Sequence, residues 1–185
     1  MTSPKPSRLP LILICTALLC AAPAWAETGP LPDGWRLPVA GEMDAPFRAY
    51  ELNRYLRAAA DFDGDGAPDT ALVLVSETIG PRGHPAAIGA FAFLSQPGGS
   101  TRPHPVHILE HPLPVDFRQF GIMARPPGRY VTACGAGYGD GCAPGEPDAV
   151  VLETAGLECG LFESVTGLYR WNPLAGRFDG VPISD

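Results

Sequence analysis

Cations are scarce in this chain. Its 185 residues carry 13 Lys+Arg against 20 Asp+Glu, a formal net charge of −7. A surface of that sign repels phosphate backbones and anionic headgroups, which argues against nucleic acid or an anionic membrane as partner. Uninterrupted helix-forming sequence is also scarce. The 22 Gly and 22 Pro punctuate the whole length, and both residues break helix interiors, so a helical bundle is excluded. Compact signatures of catalysis are missing as well: there is no GxSxG, no HExxH and no CxxC, the patterns of a nucleophile elbow, a zinc protease helix and a zinc-binding knuckle. No internal repeat, heptad pattern or block of like charge occurs, and no composition shift divides the chain.

What is present begins with the first 26 residues. Lys5 and Arg8 precede an apolar run from Leu9 to Leu19, and Ala24 and Ala26 stand two apart just before Glu27. A basic start, a short apolar centre and small residues at the end form a cleavable secretory signal, with cutting expected after Ala26. The run is shorter than the ~20 residues that a membrane span requires, and no second apolar stretch of spanning length follows. Leu19 before Cys20 is too bulky for lipoprotein processing. The style of the signal points to a Gram-negative periplasm or to secretion. Residues 1–26 are therefore read as a signal peptide and 27–185 as a single β-rich domain. The removed segment holds two cations, no acid and two of the five cysteines, so the 159 residues that remain set 11 cations against the 20 acids.

The mature part reads as short strands between Gly/Pro turns. Arg54–Ala60, Thr70–Ser76, Ala86–Ser95, Val106–Glu110, Phe117–Ala124 and Tyr130–Cys134 form a first series. Ala149–Thr154, Leu157–Ser164, Val165–Trp171 and Arg177–Ile183 complete it, with a hairpin turn over Asn172–Gly176. This pattern predicts a compact antiparallel β sandwich or barrel-like domain. At most one short helix is expected, over residues 41–52. The segment 27–40 is expected to wrap onto the fold through Trp35 and Leu37. Trp35, Trp171, Tyr169, Phe178, Phe91 and Phe93 are expected in the core.

The most informative stretch is Asp61-Phe62-Asp63-Gly64-Asp65-Gly66-Ala67-Pro68-Asp69. Carboxylates at positions 1, 3, 5 and 9 of a loop, with glycines at 4 and 6 to allow a tight path, can converge on one point. Hard oxygen donors in that number suit Ca²⁺ better than Mg²⁺ or softer metals. The expected ligands are Asp61, Asp63, Asp65 and Asp69, with the Ala67 carbonyl at position 7. Four such charges held ~5–6 Å apart repel by about 4 kcal/mol in total even at the dielectric of water. That is a large share of the ~5–15 kcal/mol that holds a domain together, which favours a compensating ion.

These nine residues resemble the calcium loop of FG-GAP and VCBS-type modules, in which the loop joins two strands of a hairpin. The resemblance covers about 25 residues and implies a Ca²⁺ site, with structural calcium rather than adhesion. An EF-hand is not indicated, because Leu72 stands where the loop's twelfth-position Glu would be and helical flanks are absent. Shorter pieces, among them Pro32–Pro38, Asn53–Tyr55, Cys134–Tyr138, Phe162–Ser164 and Ile183–Asp185, are similar to small exported Gram-negative proteins carrying one such loop. That similarity implies an architecture and no activity.

Cys134, Cys142 and Cys159 remain after signal removal. In an oxidising compartment the expected disulfide is Cys134–Cys142 around the loop GAGYGDG, with Cys159 buried on a strand; 134–159 and 142–159 are the alternatives. That loop lacks the Lys-Ser/Thr ending of a phosphate-binding loop, so its glycines read as turn formers. His104, His107 and His111 lie among prolines. On a regular strand His104 and His107 point to opposite faces, so a surface or edge-strand role is expected rather than a metal site. Glu163 with Ser164, and Glu153 with Glu158, are the remaining candidates for acid–base chemistry, and solvation or ion pairing is the expectation for them. Three functions fit: a Ca²⁺-binding exported binding or interaction module without catalytic residues, a periplasmic inhibitor or immunity-type protein, and a hydrolase that uses the calcium loop.

Overall fold

The computed structural model describes residues 29–39, 42, 55–113, 116–138, 142, 145–162 and 165–183. The signal segment, Glu163 with Ser164, and residues 41–52 apart from Glu42 lie outside the described residues. The elements run β1 (Trp35–Arg36), β2 (Arg57–Ala60), β3 (Asp69–Ser76), β4 (Ala87–Ser95), β5 (Thr101–Glu110), α1 (Asp116–Gln119), β6 (Phe120–Arg125), β7 (Gly128–Val131), β8 (Ala149–Leu152), β9 (Gly156–Leu161), β10 (Val165–Asn172) and β11 (Arg177–Ile183). The chain is mainly β and its sheets are antiparallel, as the turn spacing predicted. No helix among the described residues is long and apolar enough to cross a membrane.

The first sheet has the order β1-β3-β4-β5, and β2 shares the β1 edge of β3. The second runs β11-β10-β9-β6, and β7-β8 forms a separate hairpin. Period-two alternation explains how they pack. Ala71, Val73 and Val75 on β3, with Ile88, Ala90, Ala92 and Leu94 on β4, face the second sheet. There they meet Phe120, Ile122, Leu157, Cys159 and Phe178. The opposite face of the same two strands carries Leu72, Leu74, Phe91 and Phe93, covered by Leu31 and Trp35. Trp35 meets Phe91 edge-on with ring centroids 4.7 Å apart. Leu37, expected beside it, stays exposed. Because both faces are covered, β3 and β4 read as nearly unbroken apolar runs. On the far side of the second sheet, Val150 and Leu152 of β8 pack on Leu168. The two sheets approach along both margins, β5 beside β11 and β2 beside β6.

Two local departures have identifiable causes. The strand expected from Phe117 begins at Phe120, because the preceding four residues form α1. The Asp116 carboxylate accepts the Leu113 N–H at 2.6 Å, the reach-back contact that starts a helix. β5 begins at Thr101 rather than Val106. Among the described residues it is the outer strand of its sheet, with a ladder partner on one side, so Pro103 and Pro105 are accommodated.

The same strand bears out the edge-strand placement of His104 and His107 but corrects the expectation that they point to opposite faces. Ala90 pairs with His107 and Ala92 with His104, and the register shifts between Ala90 and Phe91. Val106 is the extra residue, a β-bulge that resets the alternation. Both histidines therefore share the face turned toward the second sheet. His107 stacks on Phe120 at 5.9 Å, and His104 sits edge-on to Trp171 at 4.8 Å. Burial lowers the His107 pKa below the ordinary 6.5; burial and the Arg102 charge lower that of His104, against the Gly176 carbonyl and Asp63. A histidine harder to protonate when folded leaves the unfolded chain to take up protons first. Stability contributed by these rings is full above pH about 6.5 and declines as pH falls through their lowered values. Urea midpoints measured from pH 7.5 downward are expected to fall over this range, and His107→Phe to flatten the slope.

Candidate functional site

The acidic loop joins β2 to β3, and the ladder beneath it runs from Ala60↔Asp69 to Arg57↔Leu72. Its path depends on its own carboxylates. The Asp61 oxygens accept the N–H groups of Gly64 at 2.7 Å and Gly66 at 3.0 Å. Asp63 accepts from Asp65 at 3.1 Å, and Asp65 from Ala67 at 2.7 Å. Each is a short-range turn in which an acid side chain satisfies a backbone donor. Gly64 has φ +80°, and a Cβ there would lie 2.7 Å from Thr154 Cγ2, so both backbone and space call for glycine.

Two residues of the loop point inward instead. Phe62 is fully buried in the main core. The buried Asp69 accepts the Phe62 N–H and the Ser95 N–H, each at 2.8 Å and on different oxygens. Ser95 also donates its hydroxyl to the Pro68 carbonyl at 2.7 Å, and the Thr154 hydroxyl donates to the Phe62 carbonyl at 3.3 Å. The loop is thus pinned to β4 and to the segment after β8. Neither Ser95 nor Thr154 is marked by the local sequence, because each acts on the loop from 26 residues away or more.

This geometry brings three of the expected ligands together. One oxygen each from Asp61, Asp63 and Asp65 lies within 4.8 Å of the others. Asp69 stands outside that group, and its two N–H bonds leave lone pairs free on both oxygens. Ala67 lies on the same loop, its N–H tied to Asp65. The three clustered charges repel by about 2–3 kcal/mol at the dielectric of water. Burial, with the fields of Asp65 and Asp61 behind it, raises the Asp63 carboxyl above its ordinary 3.8, against the Asp65 N–H bond. Burial also raises Asp69, against its two N–H bonds and with the fields of Asp63 and Asp65 added. The cluster is a half-shell of oxygen donors held open by backbone N–H groups, and its chemistry suits a hard divalent cation.

Other expected residues are placed as follows. Cys134 and Cys142 form a disulfide with Cα atoms 5.8 Å apart, and Cys159 is a buried free thiol on β9. Glu158 is buried and ion-paired to Arg125, its Oε1 lacking a hydrogen-bond partner among the described residues, whereas Glu153 is exposed beyond β8. The structure therefore does not combine these two glutamates. His111 is exposed at the end of β5 with φ 52°, apart from the inward-facing pair.

Removing the inward contacts tests the anchoring. In chelator, where no metal contributes, Asp69→Asn is expected to lose about 1–3 kcal/mol by leaving one buried N–H without an acceptor. Phe62→Ala is expected to lose about 3–5 kcal/mol. Urea denaturation measures both.

Set against known proteins, the chain matches no protein-family model, and no curated protein or solved structure is significantly similar to it.

Proposed function

We propose that this protein is an exported Ca²⁺-binding β domain that works as a binding or interaction module, with calcium in a structural role. The observation that carries the reading is the cluster of Asp61, Asp63 and Asp65 carboxylates within 4.8 Å on a loop fixed to the core. The ion is held by these three side chains, by the Ala67 carbonyl and by the lone pairs remaining on Asp69. It neutralises the acids and clamps the β2–β3 hairpin to β4 through Asp69 and Ser95. The likeness of DFDGDGAPD to FG-GAP and VCBS-type loops supports the same ion. Export rests on the character of residues 1–26, and the Cys134–Cys142 disulfide suits an oxidising compartment. The partner is a periplasmic or extracellular protein.

Calorimetric titration of the purified protein is expected to give one Ca²⁺ site with a Kd of about 10⁻⁴–10⁻³ M, the range of extracellular modules. Asp63→Ala removes it. A hundredfold excess of Ca²⁺ over the Kd raises stability by about 2.7 kcal/mol, read as a higher urea midpoint that chelator reverses. Absence of heat at millimolar Ca²⁺, or an unaltered isotherm in Asp63→Ala, would rule the site out.

A further inference from the structure

A second feature lies between the sheets, away from the acidic loop's own residues. A cavity of about 270 Å³ opens between β5 and the β9–β10–β11 part of the second sheet. His107, Cys159, Thr166, Tyr169 and Pro182 line it with the backbone of Gly167 and Gly180, and among the described residues no Asp, Glu, Lys or Arg borders it. An engineered cavity of about 150 Å³ holds benzene, so this one accommodates a molecule of one or two rings.

Its polar character comes from one pair. The Tyr169 hydroxyl lies 2.9 Å from His107 Nδ1. Burial pushes the Tyr169 hydroxyl up to about 12, with the Cys159 charge adding to it, and burial lowers His107, so both groups are neutral at neutral pH. One proton serves the bond between them. If the phenol donates, Nε2–H remains a donor and the phenol oxygen an acceptor. If Nδ1–H donates, the phenol O–H remains a donor and Nε2 an acceptor. Either tautomer leaves one donor and at least one acceptor on the pair for another molecule. Burial raises the Cys159 thiol well above its ordinary range, so it contributes an apolar, unreactive surface.

The seating of Tyr169 is specific. A Cβ on Gly167 or Gly180 would collide with its ring, so the bare backbone at these two positions lets the ring lie flat on β10 and β11. Stacking of His107 on Phe120 holds the other partner. The cavity opens to solvent at Gly180 and Pro182, so a charged ligand would lose part of its hydration here without meeting an opposite charge among the described residues. A neutral ring bearing both a carbonyl and an N–H, as a carboxamide does, matches the donor and acceptor that the pair presents.

We propose that this cavity binds an uncharged ring compound of one or two rings that carries an amide-like donor–acceptor group, with Tyr169 and His107 as its polar anchor. The test titrates the unmodified protein, uniformly labelled with ¹⁵N, with benzamide and with benzoate, which share shape and differ in charge. Benzamide is expected to give saturable amide shifts centred on Cys159, Gly160, Gly167 and Gly180, and benzoate to bind about tenfold more weakly. Tyr169→Phe is expected to weaken benzamide about fivefold, the scale of one net hydrogen bond. Tyr130→Phe, whose hydroxyl bonds the Pro126 carbonyl outside the cavity, leaves the affinity unchanged. Absence of saturable shifts with benzamide, equal binding of benzoate, or full affinity in a folded Tyr169→Phe each overturns the proposal. The benzamide–benzoate comparison needs no variant and so decides the matter even where a substitution impairs folding.

Discussion

The buried carboxylate of Asp69 is the point on which the arrangement turns. Its two oxygens accept two backbone N–H groups, one from the loop that precedes β3 and one from the end of β4. A buried N–H without an acceptor is costly, so the carboxylate both requires and satisfies this approach. It sets where β3 begins, holds Phe62 down into the core and leaves Asp61, Asp63 and Asp65 on the outside of the turn. The three acids on the outer side cluster on a loop that Asp69 and Phe62 anchor on its inner side.

The same division between anchoring and presentation recurs between the sheets. β5 crosses opposite the second sheet with a one-residue bulge at Val106. Without that residue, one of His104 and His107 would face away. With it, His104 meets Trp171 and His107 meets Phe120 and Tyr169. Aromatic and imidazole rings thus fill the margin where β5 and β11 lie side by side without sharing a ladder. The unfilled part of that margin is the cavity. Buried neutral imidazoles make this seam sensitive to acid, and the acidic loop is sensitive to cations.

Much of this was legible in the residues. Apolar runs along 70–76 and 86–95, bounded by turn residues, mark β3 and β4 with little error, because burial on both faces demands continuous apolar side chains. The Cys134–Cys142 pairing is the favoured one of three on its short separation in an oxidising compartment, and it is the one formed. Spacing of acids and glycines in 61–69 marks the loop as a place where oxygens converge. Other features had no local signal. A bulge is a property of the partner strand's register, so the facing of His107 is invisible in its neighbours. Thr154, Ser95 and Arg125 act on residues distant in the chain, and ordinary Thr, Ser and Arg positions carry no mark of that.

The sequence by itself determined the class of fold, the approximate place of most strands and the kind of chemistry each loop can support, because periodicity, turn formers and side-chain donors are local properties. The tertiary structure alone decided which donors meet. It tied Asp69 to two distant backbone N–H groups beside the Asp61, Asp63 and Asp65 cluster, placed Glu158 against Arg125 rather than Glu153, and turned two histidines to one face. These outcomes rest on register and on burial of backbone N–H groups, which exist only once distant segments have been brought together.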